Sequence, residues 1–426
     1  MKKLLNEFLV SIRGGILYIL SGSILIKIMS MLSNVIIAGV LDKSSYAHYS
    51  YAVNLYQYID LFEGIGLASA FLIICPRLED KRKMRGYLRY SFFLGGSVQM
   101  LLSIALCMIV YNIPLPFPEA KKYIIMMVFL PLLTYWFAQM QIYSRVQLEN
   151  KFYSGVSIFQ TLFLCVFGIL FTWYFSSTGM ILARYLSLAA ALFVCLYHFR
   201  SFLFHTIPST LSKDERKDFL FMGGTLFLSN VFSSLMPLNE TFLVNNIIRD
   251  EVVVSNFKIA GLFPAQLSLI TGAVVIYYFP IIAKITEPTK QWEKIKTIGI
   301  VNIILVLIAA AAGALLTPVA IHILYQGKYD DAIPLTYMLW AMRMTNAAIR
   351  IVPMNALAAV GCTKFNVIVI VASCAVQTVL DYILISIRGI YGVSYATNIV
   401  YLISGIVMWV YLRYICKKRA GSNLSE

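Results

Sequence analysis

Four cations interrupt stretches that are otherwise apolar: Lys27, Arg184, Arg343 and Arg350. Lys27 belongs to a polar stripe, Ser23, Lys27, Ser30 and Asn34, spaced i, i+4, i+7, i+11, which places them on one helical face. Arg343, Asn346 and Arg350 follow i, i+3, i+7 in the same way. A cation at the centre of a membrane span costs ~2.5–3.5 kcal/mol, so four facing lipid would cost roughly 10–14 kcal/mol. They are therefore expected to face an aqueous cavity or a partner, where such groups hold phosphates and carboxylates. The bland alternative is a residue near a span end that snorkels to the interface.

The acids in apolar stretches are Asp60 and Glu63 (i, i+3), Glu240 and Asp381. Each fits either a static ion pair with a nearby cation or a proton carrier, because desolvation favours a carboxylate's neutral form. Asp60, Glu63, Glu240 and Asp381 are thus the candidates for coupling transport to an ion gradient. Glu240 follows Pro237, where a kink in the helix is expected. His322, close to a span end, is a weaker proton candidate. The seven cysteines (75, 107, 165, 195, 362, 374 and 416) show no CxxC spacing and read as small packing residues, with neither a metal site nor a cofactor implied. No Walker A, HExxH or Ser/His/Asp pattern is present, which speaks against an enzyme.

What must position these residues is a set of membrane helices. The 426 residues are 60% hydrophobic and 13% charged, with mean hydropathy +0.78. Soluble domains average ~45–50% apolar and ~25% charged. A net charge of +15 raises the possibility of a nucleic-acid partner. The basic residues lie mainly in short gaps between apolar runs, so topogenic charge explains them better and no nucleic acid is expected. Twelve spans are expected near 16–40, 50–75, 88–111, 122–143, 153–175, 178–200, 218–246, 257–283, 298–322, 333–358, 365–387 and 391–414. Their runs are continuous rather than alternating, which excludes a β-barrel. Leu4, Leu5, Phe8, Leu9 and Ile12 share a face, so the start is read as a surface helix before a retained first span.

With both termini cytoplasmic, 24 of the 35 Lys and Arg fall on the cytoplasmic side and seven opposite: Lys43, Lys121, Lys122, Arg249, Lys258, Lys328 and Arg388. That asymmetry sets the orientation. The halves also echo each other. Gly179-x-x-x-Ala183 recurs as Gly392-x-x-x-Ala396, and Asp42-x5-His48-Tyr49-x-x-Ala52 as Asp250-x5-Asn256-Phe257-x-x-Ala260. The expected architecture is an all-α polytopic membrane protein of twelve transmembrane helices in two six-helix lobes related by pseudo-twofold symmetry. Its lobes are 1–205 and 219–416, with a cytoplasmic linker 206–218 and tail 417–426. Duplicated bundles place their substrate path between repeats.

The segment Asn355-Ala-Leu-Ala-Ala-Val-Gly-Cys-Thr-Lys364, running on to Arg388-Gly-Ile-Tyr-Gly-Val-Ser-Tyr-Ala-Thr397, resembles the pattern of polysaccharide flippases. These belong to the multidrug/oligosaccharidyl-lipid/polysaccharide (MOP) exporter superfamily. Leu324–Ala332 looks like their loop between spans nine and ten, and Leu41–Tyr49 like their first external loop. Arg388 stands where the family often has Pro, and Ala47 where it usually has Gly. The length and span number look most like O-antigen unit flippases (Wzx type). The resemblance implies a flippase that moves an undecaprenyl-diphosphate-linked oligosaccharide from the cytoplasmic to the periplasmic leaflet of a bacterial inner membrane. It implies membrane lipids as surroundings, and a polysaccharide polymerase and chain-length regulator as partners. Lys27, Asn34, Arg184, Arg343, Asn346 and Arg350 would line its cationic cavity. The alternatives are a drug/cation antiporter of the same superfamily and a non-transporting membrane scaffold.

Overall fold

A computed structural model describes residues 16–285 and 287–422. The residues proposed for a surface helix, Leu4 to Ile12, lie outside this range, as does the side chain of Ser23. Among the described residues every regular element is a helix. Six are long and apolar enough to cross a membrane, or seven if one bent pair counts as a single span. Each of the twelve expected segments corresponds to a helix or to a broken pair, and one long element supplies two of them. The chain is a multi-pass membrane protein. It divides into two compact units, residues 1–231 and 232–426, with the boundary between Val231 and Phe232 inside a continuous helix.

The first unit contains α1 (Ile16–Val40), α2 (Lys43–Asp60), α3 (Leu67–Ile74), α4 (Lys81–Asn112), α5 (Ala120–Met126), α6 (Leu130–Val146) and α7 (Asn150–His198). Helix α7 is two helices meeting at Ser176, whose φ of 55° breaks the regular winding. A hydrophobic stretch of 49 residues is more than twice the ~20 needed to cross, so it must turn back. Helix α1 packs along α7, and α4 packs against α6.

The expected second span is not one helix. It stops at Asp60, and residues 63 to 66 all take positive φ (42°, 60°, 61° and 68°) before α3 begins. The glycines there serve geometry: a Cβ on Gly64 would come within 2.7 Å of Gly95 Cα and the Tyr135 ring. With its amide oriented to suit its neighbours, Gln99 of α4 accepts from the Gly64 and Glu63 N–H groups at 3.2 and 3.3 Å and donates to Ile59 O at 3.1 Å. That answers the backbone groups a broken helix leaves open. The i, i+3 placing of Asp60 and Glu63 on one face therefore fails. Glu63 lies in the break, is exposed, and accepts a 3.2 Å bond from Ser69 Oγ.

Helix α8 (Lys213–Ile248) runs from the first unit into the second and contains Pro237. The second unit continues through α9 (Glu251–Leu262), α10 (Leu267–Lys284), α11 (Pro288–Tyr325), α12 (Ile333–Thr345), α13 (Ile351–Ala359), α14 (Thr363–Arg388) and α15 (Tyr391–Ser422). Here too the second membrane helix is broken, with the short turn Pro264–Gln266 between α9 and α10. Its core is built from Val274, Ile298, Leu357 and Met408, with Val306, Trp340 and Ala347 forming another cluster.

The sequence echo acquires a physical meaning within each unit. Asp42 accepts from Ser45 N at 2.9 Å and caps α2, while Asp250 accepts from Val252 and Val253 N at 2.9 and 3.0 Å and caps α9. An aspartate at this position satisfies N–H groups that have no partner inside the helix. The matched motifs are therefore matched helix starts.

Candidate functional site

In the first unit a cavity of about 270 Å³ is lined by Asp60, Arg184, Gln57, Gln160, Ser187 and Thr134 on an otherwise apolar wall. Asp60 reaches it as the last residue of α2, where the break ends the helix. Arg184 enters from the second half of α7 and is the positive charge acting on Asp60. The Arg184 guanidinium also sits 5.5 Å from the ring centroid of Tyr49, one further α2 side chain that reaches it. A desolvated guanidinium over an aromatic face gains up to ~2 kcal/mol. Its Nε has no hydrogen-bond partner among the described residues. Two residues anticipated for different roles, Asp60 and Arg184, thus share one cavity. The polar companions Gln57, Gln160 and Ser187 were missed. Gln57 lies three residues before Asp60, and Ser187 three after Arg184, which is the signal that was available.

The second unit concentrates more charge and buries it further. Glu240 on α8 is 3% exposed and Asp381 on α14 is wholly buried. Arg343 and Lys258 are the positive charges that act on Glu240, and Glu240 in turn acts on Asp381. Lys258 is half-buried within α9. Asp250 caps the start of α9 eight residues before Lys258, which carries that lysine two turns into the helix. Gln377 is the hydrogen-bonding side chain that bears on Asp381, while Glu240 Oε2 has no hydrogen-bond partner among the described residues. Around them, Asn239 donates to Thr378 Oγ1 at 3.0 Å, and Gln377 donates to Thr397 Oγ1 at 3.1 Å.

Arg343, Asn346 and Arg350 lie on one continuous run, but not on one plain α-helix. Residues Asn346–Arg350 form a π-helical turn between α12 and α13. Such a turn releases carbonyls that an α-helix would bond internally. Asn302 donates to Ala347 O at 2.8 Å and Trp409 Nε1 donates to Ile349 O at 2.9 Å. Arg350, only 7% exposed, lies 5.2 Å from the Tyr401 ring centroid and donates to Met236 Sδ at 3.5 Å. Arg343, Glu240, Arg350 and Asp381 all act electrostatically on the Tyr401 hydroxyl, so the five groups form one cluster. Among the described residues no carboxylate stands within ion-pair distance of Arg184, Arg343 or Arg350.

Lys27 and Asn34 join neither group. Both are exposed on α1, and the Asn34 amide donates to the Ser30 carbonyl at 2.9 Å. Asn346 is half-buried and its Oδ1 has no partner among the described residues.

The sequence matches the family described as "Polysaccharide biosynthesis protein" over residues 12–286. No curated protein matches it. Three solved structures are similar in fold. A multidrug resistance MATE family transporter of the MOP superfamily, inward-facing, superposes with TM-score 0.75 at 14% identity, covering 92% of this chain and 95% of that one. The lipid II flippase MurJ, in an inward closed conformation, gives 0.73 at 16% identity, with 94% and 87% covered. A MOP superfamily transporter from Pyrococcus furiosus, described as having a binding pocket of reverse polarity, gives 0.60 at 15% identity, with 93% and 96% covered. With a family match over more than half its length, the chain belongs to the polysaccharide biosynthesis protein family, and it shares the fold of these transporters.

Proposed function

We propose that this transporter flips an undecaprenyl-diphosphate-linked oligosaccharide, an O-antigen or related surface repeat unit, from the cytoplasmic to the periplasmic leaflet of a bacterial inner membrane. The observation that carries the proposal is Arg350, a guanidinium buried within a membrane protein and held by an aromatic ring and a thioether instead of a carboxylate. Such a group keeps its capacity for a bidentate bond to a diphosphate. Arg343 and Lys258 add positive charge in the same cluster, and Arg184 does so in the first unit's cavity.

Alternating access between two six-helix lobes is the motion proposed, with both termini cytoplasmic as the Lys and Arg distribution favours. Glu240 and Asp381, with Asp60 in the first unit, are the groups proposed to couple transport to an ion gradient. Each charge moved through 100 mV supplies ~2.3 kcal/mol. Glu63, exposed and outside the cavity, is the weakest of the four candidates.

Arg343→Ala or Arg350→Ala is expected to abolish surface polysaccharide while the protein remains in the membrane. Normal polysaccharide in both variants would sink the role given to these arginines. The fold likeness to a multidrug transporter keeps a drug/cation antiporter as the second reading. It predicts drug resistance on overexpression and no polysaccharide defect on deletion, the reverse of the first.

A further inference from the structure

A second groove in the first unit, of about 470 Å³, is separate from the cavity of Asp60 and Arg184. One end carries Arg85 and Arg89, one helical turn apart on α4. Apart from Ser97 the rest is apolar, including Phe93 at 81% and Phe204 at 75% exposed. Aromatic rings left so bare on a membrane protein are ordinary where lipid covers them.

Three observations identify what fits there. The first is charge. Arg89 acts on Arg85 as a like charge, and no acid lines the groove. Arg85 donates to Leu203 O at 3.1 Å, which fixes the guanidinium at the rim, while its buried Nε has no partner among the described residues. An anion between the two arginines would relieve their repulsion and occupy the open donors. The second is length. From Arg89 to Met100 is eleven residues, about 16 Å of helix, close to half of a ~30 Å hydrocarbon core. The groove is one leaflet deep. The third is that its floor is built by a glycine: Gly96 admits Trp136, whose Nε1 would lie 2.7 Å from a Cβ there and which donates to Phe92 O at 3.2 Å.

We propose that this groove is a binding site for an anionic glycerophospholipid. Its phosphate sits between Arg85 and Arg89, and one acyl chain lies over Gly96 and Trp136 toward Met100. The ligand is a structural lipid of the surrounding leaflet, not the cargo. The site therefore stands whether or not the transported molecule is a lipid-linked oligosaccharide.

The test is native mass spectrometry of the full chain in detergent with dioleoylphosphatidylglycerol or dioleoylphosphatidylcholine, which share acyl chains and differ in headgroup charge. The wild type is expected to retain phosphatidylglycerol preferentially. Arg89→Gln, which removes no hydrogen bond described here, is expected to lower that retention about fivefold, the effect of one near-surface cation on an anionic lipid. Lys290→Gln, an exposed lysine in the second unit, should leave it unchanged. Equal retention of the two lipids would overturn the proposal, as would an Arg89→Gln result matching that of Lys290→Gln. If undecaprenyl diphosphate is held through Arg89 and phosphatidylglycerol does not compete with it, the groove serves the polyprenyl lipid and the proposal falls.

Discussion

Gly179 presses so closely on the carbonyl of Phe171 that a Cβ at position 179 would overlap the oxygen. Gly392 stands in the same relation to the carbonyl of Leu384, and in both pairs the glycine lies eight residues after the carbonyl. Each contact follows a reversal of the chain, at Ser176 (φ 55°) and at Gly389 (φ 61°). The repeated Gly-x-x-x-Ala motif is thus a repeated helical hairpin. Gly179→Ala and Gly392→Ala are each expected to destabilise the protein by about 1–3 kcal/mol, the usual range for forcing a methyl into a packed contact. Thermal unfolding in detergent measures this, and a melting temperature unchanged in both variants would contradict it.

The cation–π contact of Arg350 separates the ring of Tyr401 from its hydroxyl. Tyr401→Phe keeps the face and should leave stability within about 0.5 kcal/mol of the wild type. Tyr401→Leu removes the face and should cost about 1–2 kcal/mol more. Equal loss in both variants would mean that the hydroxyl, not the ring, serves the cluster.

Asp60 and Arg184 should show a signed coupling. Arg184→Gln leaves Asp60 in the cavity without the positive charge that acts on it, which is costly because a buried charge is then uncompensated. The double variant Asp60→Asn/Arg184→Gln is expected to be more stable than Arg184→Gln alone. A double-mutant cycle of unfolding temperatures reads this directly; strictly additive losses would show the two charges to be independent.

At the membrane-exterior start of α8, Glu215 gives a pH signature. The Ser212 backbone N–H at 2.8 Å and the Lys83 ammonium at 3.0 Å hold its carboxyl below the ordinary glutamate range. A carboxyl depressed in the folded state contributes stability that is present above its unfolded pKa and is lost as pH falls through its folded one. The group is partly exposed and its partner Lys83 is exposed, so solvent screening keeps the effect small. Glu215→Gln should flatten the acid side of the stability profile slightly and leave neutral pH nearly unaffected. An acid limb as steep as that of the wild type would rule the contribution out.

Helix existence was legible because continuous apolar runs about twenty residues long permit little else in a membrane. The first segment, 16–40, coincides with α1, and the pair 153–175 and 178–200 matches the two halves of α7 around Ser176. The breaks were not legible. Nothing in Phe62-Glu63-Gly64-Ile65-Gly66 announces four successive positive φ values, because two of those residues are not glycine and are held by the surroundings, Gln99 among them. Arg184, Asp60, Glu240 and Asp381 stood out as charges in apolar surroundings, and burial or cavity walls is where they are found. Lys258 was missed since charge counting near a span end cannot tell a loop lysine from one two turns inside a capped helix. Tyr401 and Trp409 carried no signal at all, as an aromatic residue in a membrane helix has many ordinary reasons to be there.

The π-helical turn at Asn346–Arg350 amounts to one surplus residue wound into a helix. An α-helix advances each residue by about 100° around its axis, so a surplus residue swings everything beyond it by a comparable angle. Spaced seven apart, Arg343 and Arg350 would otherwise stack on one side and repel each other. The extra residue divides them: Arg343 answers Glu240, while Arg350 turns to Tyr401 and Met236. Indexing here is thus a matter of counting. Losing a single residue from this stretch would realign two positive charges without altering the chemistry of any side chain, and insertion or deletion at this turn is a sharper lever on the cluster than most substitutions.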